Sequence, residues 1–329
     1  MKASIVIPNL NGAGWLEDSV RSCLAQTFTD FELIIIDNGS TDESLQIARN
    51  FATENANCTL IENADNTGFS FAVNQGIRMA KGQYVVLFNN DAFAEPGWLA
   101  ELIKTADSDE RIFSVASLMI RHFERELADD AGDYVNLLGW ACKRGDGLYA
   151  TRYQKQQRIF SACGGAALYR KSILNEIGLF DENFFAYLED VDIGWRANTQ
   201  GYINIFCPTA KCYHIASATT GSKYNDFKAK QGGRNNFLLP YKNMPLLQWV
   251  LNWPFLIVGD LIKIVFFYLR GFGKPYMQGR KEAYTLIGKL EKPPFKIKNI
   301  PHYMLIQWWL FIHLFTYADY RTRRALGWK

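Results

Sequence analysis

A doubly wound α/β domain with a mostly parallel sheet, followed by a helical tail of different character, is the fold class this sequence predicts. A strand, loop and helix recur three times before a fourth strand, the order that gives right-handed crossovers and a parallel sheet. Each of those strands stops at a polar loop, at residues 8–12, 37–42, 63–68 and 89–91. In open α/β sheets ligands sit beyond the carboxyl ends of the strands, so four polar loops on one rim describe a nucleotide-sized site. The third observation is an abrupt change of charge. Residues 1–221 carry 18 basic and 28 acidic side chains, a net of −10, whereas residues 222–329 carry 18 basic and 5 acidic, a net of +13. The tail is therefore the part suited to a negatively charged surface.

Residues 5–7 form the first strand, and Pro8-Asn9-Leu10-Asn11-Gly12 ends it before a helix with Leu16, Val20, Cys23 and Leu24 on one face. Residues 31–36 are the second strand, and Asp37-Asn38-Gly39-Ser40-Thr41-Asp42 follows. Ser40 three residues before Glu43 reads as a capping box that opens the next helix. Residues 58–61 make the third strand, and a helix with Phe69, Val73, Gly76, Ile77 and Ala80 on one side comes next. Residues 84–88 are the fourth. Five apolar or aromatic residues in a row fit a strand buried on both faces. Directly after it, Asn89-Asn90-Asp91 is either a bend or the end of a strand delivering polar ligands to the crevice.

A helix is expected over residues 95–106 and a strand over 112–120, and then residues 121–153 read as a long charged loop on the acceptor side of the site. Gly164-Gly165 within residues 160–169 marks either a tight bend or a place where backbone approaches a ligand. Glu189, Asp190 and Asp192 crowd the start of a helix that includes Val191 and Trp195 and ends at Gly201. A helix dipole favours acidic residues there, but the surrounding aromatics raise a carboxylate's proton affinity and suit a general base. Strands are expected at residues 203–206 and 212–214. His214 reads alone as a structural histidine; paired with the strand-terminal Asp91 it would complete a divalent-metal site of mixed oxygen and nitrogen ligands.

The six cysteines show no Cys-x-x-Cys pairing and mostly sit in apolar runs, as reduced thiols of a reducing compartment would. The apolar run at the N-terminus is too short for a signal peptide and reads as a strand. No G-x-G-x-x-G follows the first strand and no Walker A lysine motif occurs, which argues against dinucleotide-binding and P-loop domains. Nucleic acid is not an expected partner.

These pieces, in this order, resemble family 2 inverting glycosyltransferases of the GT-A fold, and within them bacterial polysaccharide rhamnosyltransferases. The resemblance runs from Ser4 to about Pro245 and rests on Ile7-Pro8-Asn9-Leu10-Asn11-Gly12, Asp37 to Asp42, Asn66-Thr67-Gly68-Phe69 with Asn74-Gln75-Gly76, and Asn89-Asn90-Asp91. Its later pieces are Gly164-Gly165 before Tyr169-Arg170-Lys171, the Glu189-Asp190-Val191-Asp192 run with Trp195-Arg196, and His214. It implies that Asp37 bonds the nucleotide base in a pocket lined by Pro8, Asn9 and Asn11, that Asn66 and Gly68 lie near base and phosphates, and that Asn90 lies near the ribose. Asp91 and His214 would hold Mg2+ or Mn2+, Asp190 would be the catalytic base, and Gly164, Gly165, Glu189 and Trp195 would line the substrate side. Family members often carry two or three aspartates where this chain has Asn89-Asn90-Asp91, so its metal site would hold less negative charge. A sugar-phosphate nucleotidyltransferase, which would carry a basic glycine-rich loop after strand one, fits less well, since residues 8–12 contain no basic residue.

The resemblance divides the chain into a catalytic domain, residues 1–235, with a nucleotide-binding half (1–95) and an acceptor-binding half (96–235), and a C-terminal region, 236–329. Residues 246–269 are long enough to span a bilayer, but Asp260 and Lys263 oppose that at roughly 2.5–3.5 kcal/mol each. Asn252, Asp260, Lys263 and Arg270 fall on one narrow stripe of a helical wheel, the pattern of a helix lying in a membrane surface. Residues 303–317 repeat the theme with Trp308, Trp309, Phe311 and Phe315 before Arg321, Arg323 and Arg324. The expectation is an enzyme moving a sugar, L-rhamnose from dTDP-rhamnose, or alternatively a hexose from a UDP donor, to a lipid-linked or polysaccharide acceptor. It would be peripheral on the cytoplasmic side of the plasma membrane, at an anionic surface. A homo-oligomer interface is the other use for so apolar a tail.

Overall fold

A computed structural model describes residues 1–215 and 224–328. In chain order, β1 (Ala3–Asn9), α1 (Leu16–Leu24), β2 (Phe31–Asn38), α2 (Ser44–Glu54), β3 (Cys58–Asn63), α3 (Phe69–Met79) and β4 (Tyr84–Phe88) form the three repeats and fourth strand expected. Then come β5 (Ala92–Ala94), α4 (Trp98–Asp107), β6 (Ile112–Arg121), β7 (Ala128–Asp130), β8 (Asp133–Val135), β9 (Ala141–Lys143), β10 (Gln157–Ile159) and β11 (Ala166–Arg170). The chain continues through α5 (Lys171–Ile177), α6 (Glu189–Gln200), β12 (Ile203–His214), α7 (Asp226–Asn243), α8 (Leu246–Leu269), α9 (Gly273–Leu286) and α10 (Ile300–Ala325).

The main sheet runs β10-β12-β6-β11-β4-β1-β2-β3, with β5 on β12 and β7 on β6. Pairings β4-β1-β2-β3 and β12-β6 are parallel, and β11 is antiparallel to both neighbours. Side chains alternate along each strand, and that alternation builds two cores. Ile5, Ile7, Leu33, Ile35 and Val86 face α1, α2 and α4, while Val6, Ile34, Ile36, Val85 and Leu87 face α3, α5 and α6. A third cluster joins Tyr134, Phe160, Phe184 and Trp195 to Leu238, Leu239, Ile306 and Leu310, so α7 and α10 dock directly on the sheet domain. Residues 235 and 236, the expected domain junction, fall inside α7.

Four expectations are corrected. α2 starts at Ser44, without a Ser40–Glu43 capping box; Asp42 Oδ1 accepts from Ser44 N at 3.0 Å instead. Ser40 Oγ is turned to the site, where it accepts from Asn11 N at 3.0 Å. Residues 121–153 are not an irregular loop, since β7, β8 and β9 lie within them. The two strands expected at residues 203–214 are one, β12, whose pairing with β6 slips between Cys207 and Lys211. Finally, three of the four stripe residues of α8, Asn252, Asp260 and Lys263, face the protein, while Arg270 is exposed. Gln248 and Asn252 donate to Gln307 Oε1 at 3.0 and 2.7 Å, Lys263 Nζ donates to Asn236 Oδ1 at 2.5 Å, and Asp260 pairs with Arg280. The helix turns Leu247, Leu251, Val258, Leu261, Val265 and Leu269 outward.

Candidate functional site

The polar ends of the central strands are wired together. Asn9 Nδ2 donates to Asp37 Oδ1 at 2.9 Å, and Asn9 Oδ1 accepts from Asn90 Nδ2 at 2.8 Å, so β1, β2 and the turn after β4 share one buried chain of hydrogen bonds. The other oxygen of Asp37 accepts from Ser40 N at 3.0 Å. Asn11, exposed beside half-buried Pro8, sits in a left-handed conformation (φ 50°) and accepts from Thr41 N at 2.8 Å. Asn66 Oδ1 accepts from Asn38 Nδ2 at 3.1 Å and from Gly68 N at 3.0 Å, closing the loop before α3. Pro8, Asn9, Asn11, Asp37, Asn66, Gly68 and Asn90 therefore lie on one rim. Parallel register is the cause, since it sets Asn9 beside Asp37 and Asn38 beside Asn63.

β12 lies antiparallel to β5, with His214 paired to Ala92, one residue past Asp91. His214 Nε2 accordingly comes within 3.2 Å of Asp91 Oδ1. The other ring nitrogen, Nδ1, is 2.9 Å from Asp129 Oδ2, which also takes Lys143 Nζ at 3.0 Å. Burial lowers the proton affinity of His214, but hydrogen bonds to Asp129 and Asp91 outweigh it and raise the pKa to about 9. Burial would push Asp129 up; Lys143 and His214 hold its carboxyl well below the usual range.

These residues fit a divalent cation in a particular way. Asp91 and Asp129 lie on opposite ring nitrogens, and among the described residues no three His, Cys, Asp or Glu groups surround one point. A small hard cation is commonly held by one or two protein groups, the substrate's phosphates supplying the rest. Asp91 oxygen and His214 Nε2 are such a pair. A carboxylate on the far ring nitrogen is the usual device for aiming a metal-binding imidazole.

The third group, Asp190, stands in the first turn of α6. Its Oδ2 accepts from Gly164 N at 2.9 Å and its Oδ1 from Val191 N at 2.8 Å. The carbonyl of Gly165 accepts from Asn89 N at 2.8 Å, so two glycine residues separate the Asp190 contact from the turn after β4 that bears Asp91. Gly164 and Gly165 form the tight bend before β11, where Ala166 N donates to Cys163 O at 3.3 Å, and a side chain on Gly165 would meet Asn89 Nδ2 at 3.0 Å. Burial raises the Asp190 carboxyl's proton affinity, with the Gly164 and Val191 N–H groups and Lys143 pulling the other way. Buried Asp130 is pushed up to about 7, chiefly by burial, and buried Asp133 is raised by burial and by Asp130 and Asp190.

The loop before α6 is strained. Phe185, Tyr187 and Leu188 all have φ between 58° and 70°, conformations that cost side-chain-bearing residues on the order of 1–3 kcal/mol each. Fully buried Asn235 of α7 holds the loop by donating to the carbonyls of Phe184, Ala186 and Tyr187 at 3.0, 2.9 and 2.7 Å. Asp192 is likewise an anchor, taking Arg196 at 3.0 Å, Lys242 at 2.9 Å and Asn243 at 2.8 Å.

Two expected substrate contacts are placed differently. Trp195 is fully buried in the third core cluster, edge-on to Phe160 at 5.2 Å between ring centroids, and Glu189 is buried beside Asp190. Asp129, Lys143 and Asn235 escaped the sequence reading. The Asp129-Asp130 pair within an otherwise mixed stretch was the one available signal, and nothing in residues 234–236 announces a clamp.

A polar rim on parallel strands, joined at the sheet centre by an antiparallel strand and an acidic helix start, is the arrangement of the GT-A class of glycosyltransferase. The model of "Glycosyl transferase family 2" matches residues 4–178, more than half of the chain; the chain belongs to that family. It is 25% identical over 268 residues to the poly-beta-1,6-N-acetyl-D-glucosamine synthase of Staphylococcus aureus (strain MSSA476), a match covering 79% of this chain and 62% of the relative. The chain thus spans less than two thirds of that relative's length. Among solved structures, GalNAc-T7 with UDP, GalNAc and Mn2+ superposes with TM-score 0.57 at 19% identity, over 73% of this chain and 50% of that one. The mannosyltransferase PcManGT of Pyrobaculum calidifontis, in complex with GDP-Man and Mn2+, does so with TM-score 0.54 at 15% identity, over 94% and 85%. These two likenesses show the fold.

Proposed function

We propose that the protein transfers a sugar, with inversion, from a nucleoside diphosphate donor to a hydroxyl of a glycan acceptor. The reading is carried by Asp190, a carboxylate of raised proton affinity aimed by two backbone N–H groups, beside the glycine bend that joins the turn bearing Asp91. In this reading Asp37 takes the base, Pro8, Asn9 and Asn11 line its pocket, Asn66 and Gly68 lie near the base and phosphates, and Asn90 lies near the ribose. Asp91 and His214 would hold Mg2+ or Mn2+, which supplies Lewis-acid stabilisation of the leaving diphosphate when bound. Asp190 removes the acceptor proton as the hydroxyl oxygen attacks the anomeric carbon. The bond to the diphosphate breaks on the opposite face, and Gly164 and Gly165 lie on the substrate side beside Asp190.

The finer assignment is L-rhamnose from dTDP-rhamnose, supported by the ordered motifs of the rhamnosyltransferase subgroup. A UDP-N-acetylhexosamine donor is the second reading, favoured by the Staphylococcus aureus relative. Thermal-shift titration with nucleotide sugars and Mn2+ tests both, because a ligand bound only by the folded state stabilises it by about 2.7 kcal/mol at a hundred times Kd. dTDP-rhamnose is expected to raise Tm by several degrees. Stabilisation by UDP-sugars alone overturns the rhamnose assignment, and no shift with any nucleotide sugar overturns the transferase reading.

A lipid-linked acceptor at an anionic cytoplasmic membrane surface completes the proposal. Its support is α8, long and apolar enough by composition to cross a membrane, with most of its polar stripe turned inward and its leucines outward. Trp308 and Phe315 of α10 are exposed in the same way. The doubly substituted Leu251→Glu, Leu261→Glu chain should lose most of its flotation with anionic liposomes. Flotation equal to wild type would refute attachment through α8.

A further inference from the structure

Outside the transfer site, one cavity brings charge into an apolar setting. It lies among α7, α8 and α9, beneath the turn that joins β8 to β9, and encloses about 180 Å³. Sites for whole small molecules run to about 300–1,000 Å³, so this volume suits a headgroup and the first carbons of a chain. The walls are aromatic, with Trp140, Trp249, Trp253 and Phe237. The charged lining groups are Asp260, Lys263 and Arg280, two cations against one anion.

Arg280 carries the chemistry. It is 4% exposed, and one of its terminal nitrogens is paired with Asp260. Nε and Nη1 are buried with no hydrogen-bond partner among the described residues. A buried charged donor left unfilled is costly, and a guanidinium N–H makes a short charge-assisted hydrogen bond to a phosphate oxygen; with Nη2 on Asp260, Nε and Nη1 diverge and each can serve one such oxygen. Lys263 lines the cavity from α8, its ammonium bonded to Asn236 Oδ1 and 5.6 Å from the centre of the Trp140 ring.

Both ends of the β8–β9 hairpin then matter. Its tip, Leu138, Gly139 and Trp140, lines the cavity, and Trp140 Nε1 donates to Gly259 O of α8 at 3.1 Å. A side chain on Gly139, at φ 74°, would meet Leu256 of α8 at 2.8 Å, so the tip closes on α8 because it carries none. At the hairpin's base Asp133 pairs with Lys143, whose amine holds Asp129 and through it His214. Three residues per strand at about 3.3 Å each put the cavity roughly 10 Å from that base.

We propose that this cavity binds the phosphate end of an amphiphile, an apolar chain ending in mono- or diphosphate that carries the glycan acceptor, with the chain leaving along the outward apolar face of α8. One of the two unfilled Arg280 donors, Nε or Nη1, and the Lys263 ammonium hold phosphate oxygens, and the three tryptophans enclose the first carbons. The glycan then extends along the hairpin toward Asp190. This assignment rests on the lipid-linked acceptor proposed above.

The test uses the whole chain and reads binding without transfer, by tryptophan fluorescence and calorimetry. Farnesyl diphosphate is the probe, with inorganic pyrophosphate, farnesol and a short-chain phosphatidylglycerol for comparison. Farnesyl diphosphate should bind at least tenfold tighter than any of the three. Arg280→Gln should weaken it tenfold or more, and Trp253→Ala, at the rim, several-fold, with nucleotide-sugar stabilisation retained in both. Phosphatidylglycerol binding as tightly as the diphosphate would overturn the assignment to an acceptor carrier, making the cavity a seat for bulk lipid. Farnesyl diphosphate affinity unmoved by Trp253→Ala and by Lys263→Met would overturn the site even if Arg280→Gln failed to fold. Retained nucleotide-sugar stabilisation alongside either failure would leave the transferase reading standing, so the two can fail separately.

Discussion

Asp190→Asn is expected to lower turnover by 10² to 10⁴ while leaving donor affinity within a few-fold of wild type. The amide is isosteric, and its oxygen can still accept from the N–H of Gly164 or Val191. The proton acceptor alone disappears, and general-base assistance is worth about that factor. Two decades correspond to roughly 2.7 kcal/mol of transition-state stabilisation. The pH profile adds an independent check. Burial raises the carboxyl's proton affinity, and only the ionised form accepts a proton. The wild-type rate should therefore fall as pH drops through that raised pKa, and the acid limb should be missing from the residual activity of the variant. Single-turnover measurements with donor in excess separate the chemical step from product release. Near wild-type turnover would remove Asp190 from the role.

The part of the molecule that was legible is the part governed by local rules. The apolar runs of β1, β2 and β4 and the polar residues at their ends specify a parallel sheet with a rim, and the register of β1 with β2 brings Asn9 to Asp37 without further help. The features that the sequence hid depend on contacts distant along the chain. Ser40 and Glu43 satisfy a local capping pattern, yet Ser40 Oγ accepts from Asn11 N, 29 residues earlier, and tertiary context overrides the motif. Residues 121–153 look irregular because strands of three residues are too short for periodicity to register; their order comes from partners such as Ser161, whose carbonyl accepts from Asp133 N at 2.9 Å. The strain at residues 185–188 has no sequence signature at all, being imposed by Asn235 from about 50 residues downstream. For α8 the wheel gave the right stripe, but a wheel is silent about which side meets the protein. Gln307, Asn236 and Arg280 decide that.

Asp129→Asn is expected to weaken divalent-cation binding 10- to 100-fold, the usual effect of removing the group that aims a metal-binding imidazole. In the native chain one carboxylate oxygen takes both His214 Nδ1, at 2.9 Å, and the Lys143 amine, at 3.0 Å. An acceptor at Nδ1 keeps a proton there, so that a cation entering between the ring and Asp91 has only the Nε2 proton, which the metal-free ring shares with Asp91 at 3.2 Å, to displace. An amide in its place can turn its NH2 toward the ring as readily as its oxygen, and the imidazole loses its fixed tautomer and its electrostatic partner together. Lys143→Met makes the control, because it removes the cation from Asp129 but leaves the carboxylate. The Lys143 side chain is 40% exposed, so solvent already screens its charge and the loss should be under tenfold. Electron paramagnetic resonance titration of Mn2+ into the full chain, alone and with a nucleoside diphosphate, reads the affinity without reference to turnover. A purely structural carboxylate would lower thermal stability in Asp129→Asn and leave Mn2+ affinity where it was. That outcome would separate Asp129 from the metal and return His214 to the role of an ordinary buried imidazole.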